Sequence, residues 1–219
     1  MAARVEGVFI NVPFDRQYES LFRALVFTIH ECGFVSRCSL EVGDGSVVRM
    51  ETLYRIIRQC PLGVHDLSRV ALTRGLPRFN MPLELGLFLG AKRYGGRVQR
   101  RKSCVILDRD RFRYQRFCSD IAGQDIRAHG NLAAPAIAAV RDWLRGARPS
   151  KSMKGGAMIE KRFLSFWEEL PRAYRENGLD QRQLPFLDYR MLVAGWIETN
   201  PIGVAKGSTV SVIRRNTLP

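Results

Sequence analysis

The chain predicts an α/β fold, a five-stranded parallel sheet in the flavodoxin-like order 2-1-3-4-5 with a small C-terminal helical appendage, and three observations carry that prediction. From Val8 to Leu144, β-rich apolar runs alternate with amphipathic stretches of helical period. The run Cys60–Ala91, CPLGVHDLSRVALTRGLPRFNMPLELGLFLGA, reads as a strand, a loop and a buried helix, the layout found at the edge of a parallel sheet. A length of 219 residues, with 46% hydrophobic and 26% charged residues, suits one soluble domain with a sizeable core and an appendage. Right-handed crossovers then place helices on both faces of the sheet.

Each element has its own signal. Val8–Phe14 (VFINVPF) is the first strand, closed in a turn by Asn11, Pro13 and Asp15. Tyr18–Cys32 puts Leu21, Phe22, Leu25, Val26 and Ile29 at spacings of three and four, and Gly33 stops that helix. Phe34–Glu41 is the second strand. After the loop Gly43-Asp44-Gly45, Ser46 is placed to cap a helix whose apolar positions are Val47, Met50, Leu53, Ile56 and Ile57. The third strand, Leu62–Val64, ends on Asp66 and Ser68. The next helix is entered through Asn80-Met81-Pro82, and from Met81 to Ala91 its one charged residue is Glu84. Cys104–Leu107 is the fourth strand. Ile121–His129, with a turn at Gly123-Gln124-Asp125, supplies the fifth, and Leu132–Leu144 is a helix ending at Arg145-Gly146.

The α/β sheet domain is therefore expected to span 1–147. Residues 148–157 (RPSKSMKGG and its neighbour) are polar, rich in Gly, Pro and Ser, and read as a linker. The segment 158–198 holds two amphipathic helices, Met158–Tyr174 and Asp188–Ile197, with Phe163, Phe166, Trp167, Tyr189 and Trp196 on their apolar faces. Two helices this short cannot form a core, so they are expected to dock on the sheet domain or on a second copy of the chain. Residues 199–219 are expected to be a disordered tail.

Composition excludes several classes. No apolar run approaches the roughly 20 residues that span a bilayer, and MAARVEGVFINV has no signal-peptide character, so a cytoplasmic location with no membrane partner is expected. Five cysteines, odd in number and without a CxxC pair, read as buried free thiols. The net charge of +14 comes from 29 Arg and 6 Lys, and ten of these lie between Lys92 and Arg116 against two Asp. That segment is either a surface for polyanions or a solvated loop, and a nucleic-acid partner is not the expectation.

In an open parallel sheet, ligands bind beyond the carboxyl ends of the strands at the switch point in strand order. Sequence order brings Asn11, Phe14 and Asp15, Glu41 and Asp44, Asp66 and Ser68, and Asn80 and Glu84 to that edge. Carboxylates and amides of this kind suit sugar hydroxyls, a base edge or developing positive charge. Glu84 has two readings. With Pro82 as the first helical residue it is the third, placed to bond back to the cap amide. Alternatively it faces the crevice and stabilises or traps an oxocarbenium-like sugar centre as a glycosidic bond breaks. Asp66 and Ser68 are either ligand contacts or turn chemistry, and Gly43-Asp44-Gly45-Ser46 is either a phosphate cradle or a capped turn. His65 and His129 lack metal-ligand spacing, so no metal site is expected; His129, Asp125, Glu41 and Asp44 are outer candidates. GxGxxG and GxxxxGK[ST] are both missing, and Gly203–Thr209 lacks the spacing of a phosphate loop.

FINVPFD at Phe9–Asp15, HDLS at His65–Ser68, RFNMPLELG at Arg78–Gly86, and RYQRFCSDIAGQDIRAH at Arg113–His129 together resemble a group of bacterial TIR-like nucleotide-binding proteins. The pattern from Leu184 through Tyr189 to Trp196 extends the resemblance into the C-terminal helices. More distantly, a strand ending in Asp-Leu-Ser followed by a helix carrying Glu-Leu-Gly is similar to nucleoside 2-deoxyribosyltransferases and to TIR-domain enzymes that cleave NAD. The resemblance implies Glu84 as the catalytic group, Asp66 near the ribose, and NAD or another nucleotide or nucleoside as substrate or ligand with no further cofactor. It also implies self-association and a role in bacterial defence. A module of the same fold that senses a nucleotide without turnover is the alternative.

Overall fold

The computed structural model describes residues 5–41, 43–70, 78–180 and 184–201. The predicted tail therefore lies almost wholly outside the described residues, as do Gly203–Thr209 and most of the loop before Asn80. Five strands, β1 (Gly7–Asn11), β2 (Val35–Arg37), β3 (Leu62–Asp66), β4 (Ser103–Asp108) and β5 (Ile126–Ala128), form one sheet in the order β2-β1-β3-β4-β5. Every neighbouring pair is parallel, as the alternation of strands and helices predicts.

Strand alternation sorts the core into two faces. Val8 and Ile10 of β1, Leu62 and Val64 of β3, and Val105 and Leu107 of β4 point to one side. There α1 (Glu19–Glu31), α4 (Ala133–Ala147), α5 (Gly156–Glu176) and α6 (Phe186–Thr199) cover them. Phe9 and Ile106 point to the other side, onto α2 (Arg49–Gln59) and α3 (Asn80–Tyr94). Each aliphatic or aromatic side chain so enclosed contributes roughly 1.5–3 kcal/mol.

Several boundaries differ from the expectation, each for a local reason. β1 stops at Asn11 because Pro13 has no N–H to give a ladder. β2 is three residues long and turns into a 3₁₀ turn, Ser39–Glu41, so Glu41 is not on a strand. Ser46 does not cap α2, since its hydroxyl donates to Asp44 at 2.7 Å and the helix begins three residues later at Arg49. The expected fifth strand shrinks to Ile126–Ala128; Ser119–Ile121 is a 3₁₀ turn, and Gly123 at φ 94° breaks the run between them.

The C-terminal helices dock on the sheet domain. Phe163 and Phe166 of α5 lie 5.6 and 5.4 Å from the Phe27 ring of α1, and Trp196 of α6 lies 5.7 Å from it. Residues 148–157 are strapped down. Arg148 donates twice to Glu6 at 2.7 Å, Arg141 donates to the Lys154 carbonyl at 2.6 Å, and the buried Glu31 at the end of α1 meets Lys154 and, at 2.9 Å, Arg162. The five cysteines are free, and no helix among the described residues is long and apolar enough to cross a membrane.

Candidate functional site

The carboxyl edge of the sheet carries two polar groups, one on each face. β3 alternation decides which residue joins which: Asp66 shares the direction of Leu62 and Val64, toward α1, whereas His65 points toward α3. Asp66 and Glu84 therefore keep different company, and no hydrogen bond or ion pair among the described residues joins them.

On the α1 side, Asp66 is fully buried and its oxygens are taken. Tyr18 donates its hydroxyl to Oδ2 at 2.5 Å, the Ser68 amide donates to Oδ1 at 2.7 Å, and His129 Nε2 lies 2.9 Å from Oδ2. Burial alone raises a carboxyl's pKa, but the contacts from His129, Ser68 and Tyr18 bring Asp66 below its ordinary value. The Asn131 backbone amide donates to His129 Nδ1 at 3.0 Å, which leaves the ring proton on Nε2, close to Asp66 but off the line of a hydrogen bond. Beside this group Asp108, at the end of β4, accepts from Arg113 at 2.7 and 2.8 Å. Burial and the nearby Asp66 charge push Asp108 up, with burial the larger cause. Asp108 Oδ2 and Ser68 Oγ are both buried without a hydrogen-bond partner.

On the α3 side the amide nitrogen of Asn11 makes two bonds, to His65 Nδ1 at 3.0 Å and to the Met81 carbonyl at 2.8 Å. It thus ties β1 and β3 to the first turn of α3. Burial lowers the His65 pKa to about 3, so the ring is neutral and accepts from Asn11. The helix begins at Asn80, with the Leu83 amide donating to the Phe79 carbonyl at 2.9 Å. Pro82 is thus the third helical residue, where its missing N–H still has no intrahelical partner. Glu84 is the fifth and makes no cap bond, so it is not the back-bonding residue of a capping box.

Instead Glu84 lies in the inward stripe of α3 with Met81, Leu85 and Phe88. It is buried and has no hydrogen bond or ion pair among the described residues. Burial raises its pKa to about 7, against a smaller opposing pull from the Arg49 charge at the start of α2. Arg49 itself donates to Ser39 at 3.0 Å. Cys38 is near enough to feel the Glu84 charge, and burial pushes that thiol up to about 12, so it stays protonated at neutral pH.

The remaining predicted residues spread along the edge. Asn80 is exposed at the head of α3. Asp15 accepts from the Gln17 and Tyr18 amides at 3.1 Å and pairs with Arg78 at 2.9 Å and Arg69 at 3.3 Å, while Phe14 and Asp15 line a cavity on the α1 side. Glu41 is held by Arg37 at 2.6 Å and the Cys38 amide at 3.1 Å. Asp44 binds Ser46, whose hydroxyl and amide hold its pKa below the usual value, so Gly43–Ser46 is closed on itself as a turn. Asp125 is on the surface, 3.4 Å from Arg127. Tyr18, Arg49, Asp108 and Arg113 were not expected here. Asp108 carries the same signal as Asp66, an aspartate ending a buried strand; Tyr18 and Arg49 carry none, because a helix start beside a loop looks alike whatever it faces.

The basic segment does not form one patch. Lys102 is buried with its ammonium on the Ile57 and Cys60 carbonyls, Arg113 is on Asp108, and Arg109 pairs with Asp110 at 2.7 Å. Lys92, Arg93 and Arg100 line an open depression at the far end of α3. Among the described residues no group of three or more His, Cys, Asp or Glu is arranged to hold a metal ion. No family model matches the chain, and no curated protein matches it in sequence.

Proposed function

We propose that this protein cleaves an N-glycosidic bond in NAD or a related nucleotide or nucleoside, with Glu84 as the group that meets the sugar carbon. One observation carries the reading: an unpaired carboxylate is kept buried on the inward stripe of α3, beside the edge where parallel sheets bind ligands. A structural carboxylate finds a partner or moves to water. A carboxylate left bare is suited to positive charge that arrives with a substrate, first a cationic ring and then an oxocarbenium-like sugar. The positive charge also draws Glu84 toward its ionised form. As the C–N bond breaks, its electrons neutralise a pyridinium leaving group, so no proton donor is needed; water then gives its hydroxyl to the sugar and releases a proton. Asn11 positions the helix that carries Glu84, and the exposed Asn80 is free to orient the ligand. The exposed Leu164 and Met191 on α5 and α6 support self-association, and a place in bacterial defence belongs to the same reading.

Incubation with NAD, followed by detection of free nicotinamide, tests the proposal. Release by the wild type and loss of at least a hundredfold in Glu84→Gln is the expected result; equal rates in the two proteins would falsify it. A second reading, nucleotide sensing without turnover, is favoured by Asp66, whose oxygens are spent inside the fold rather than offered to ribose hydroxyls. Under that reading the ligand is recovered intact and binds Glu84→Gln as tightly as wild type.

A further inference from the structure

The cavity lined by Phe14 and Asp15 lies on the α1 side of the sheet, between the β1–α1 loop, the 3₁₀ turn after β2, and α6. Its volume is about 210 Å³. An apolar cavity of roughly 150 Å³ accepts benzene, whereas drug-sized ligands occupy roughly 300–1,000 Å³, so this one fits a bicyclic ring and not a whole dinucleotide. Its walls are aromatic and in series: Phe14 meets Phe22 edge-on at 5.4 Å, and Phe22 meets Phe186 of α6 at 5.8 Å. Phe14 keeps 40% of its surface exposed, and Leu40 at the mouth 43%. Exposed aromatic faces in a half-open cavity are platforms for a π-system.

A polar edge sits beside those walls. Arg23 is 6% exposed, fixed between the Trp167 and Tyr189 rings at 5.5 and 5.4 Å, and donates to the Tyr174 hydroxyl at 2.8 Å. It also bonds Glu19 Oε1, while Glu19 Oε2 has no hydrogen bond among the described residues. The edge thus sets a fixed cation beside an open carboxylate oxygen. A neutral ring bearing an exocyclic amino group next to a ring nitrogen answers both, the amino group donating to Glu19 and the nitrogen accepting from an arginine.

We propose that this cavity binds a planar amino-bearing heteroaromatic base, with its ring on Phe14 and its amino edge on Glu19, as a site separate from the one at Glu84. Leu184, Phe186 and Tyr189 supply one wall, so an occupant bridges the β1–α1 loop to α6 and links the C-terminal helices to the edge of the sheet. The site does not depend on N-glycosidic cleavage, because a free base has no glycosidic bond.

Calorimetric titration with adenine, and with hypoxanthine as the oxo counterpart, tests the assignment. Adenine is expected to bind the wild type at least tenfold more tightly than hypoxanthine. Phe14→Ala and Leu184→Trp, the second of which fills the cavity, are expected to weaken adenine at least tenfold, and Glu84→Gln to leave it unchanged. Phe14 is partly exposed, so that variant folds even where the filled one does not. Failure of adenine to bind the wild type, equal affinity in Phe14→Ala, equal affinity for hypoxanthine, or a matching loss in Glu84→Gln would each overturn the proposal. The nicotinamide-release result is independent of all four.

Discussion

At pH 8 the Glu84 carboxylate is ionised where water reaches it poorly, and the fold bears the consequence. Its pKa in the folded chain is about 7 against an ordinary 4.5. Below pH 4.5 it is protonated in both folded and unfolded chains and has no effect on stability. Between pH 4.5 and 7 the unfolded chain releases the proton and the folded one retains it, so stability falls as pH rises; above 7 the loss is complete. At about 1.4 kcal/mol per tenfold, that loss reaches about 3 kcal/mol. Glu84→Gln is therefore expected to melt several degrees higher than wild type at pH 8 and at the same temperature at pH 4, as thermal scans at the two pH values would register. The proposed cleavage of NAD would depend on pH in the opposite sense. Because that proposal needs the ionised form of Glu84, it predicts a kcat/KM for NAD that rises with pH through about 7 and then levels. A profile already flat between pH 5 and 8 would remove Glu84 from the reacting step.

Among the elements, α2 depends on a residue far from it in sequence. Lys102 reaches from the start of β4 to donate to the Ile57 and Cys60 carbonyls at 2.5 Å, closing the end of α2, and its ammonium lies 4.7 Å from the Phe88 ring. Lys102→Met keeps the stem and removes the donors, leaving two buried carbonyls bare. The expected loss is about 2 kcal/mol, read as a lower urea midpoint with the transition slope unchanged. In composition Lys102 is one more basic residue in a charge run, and this is where sequence is a poor guide: long-range partners leave no local trace. What was legible is what has a period. The succession of parallel strands and helices follows from alternating runs, and the buried face of α1 from Leu21, Leu25 and Ile29 at spacings of four. Cap chemistry was not legible. Ser46 has the right type for a cap and Glu84 the right offset from Pro82, but Asp44 takes the first and burial the second. The separation of Asp66 from Glu84 lay within reach, since residues two apart on β3 share a face, and Leu62 and Val64 already point toward α1.

For the molecule as a whole, the C-terminal helices are part of the core. Phe27 on α1 packs against rings from α5 and α6, and Arg162 of α5 is paired with Glu31 inside the protein. Urea unfolding is therefore expected to be a single transition, with tryptophan fluorescence from Trp143, Trp167 and Trp196 coincident with loss of far-ultraviolet ellipticity. Two separated transitions would show that the helices fold apart from the sheet. Glu31→Gln leaves Arg162 and Lys154 facing a neutral group and is expected to destabilise by about 3 kcal/mol.

The same arrangement bears on how the protein is made. The face of α1 that carries Arg23 and Phe27 waits for partners at the opposite end of the chain: Arg23 bonds Tyr174 across 151 positions, and Tyr189 bonds the Arg23 carbonyl across 166. At about 5–20 residues per second, a ribosome exposes α1 roughly ten seconds or more before α6 follows it out. Through that interval Phe27 lacks the rings of Phe163, Phe166 and Trp196 that cover it in the finished fold. Apolar surface that waits so long for its cover is open to aggregation during synthesis, so yield is expected to respond to synthesis rate and temperature as well as to the stability of the finished fold.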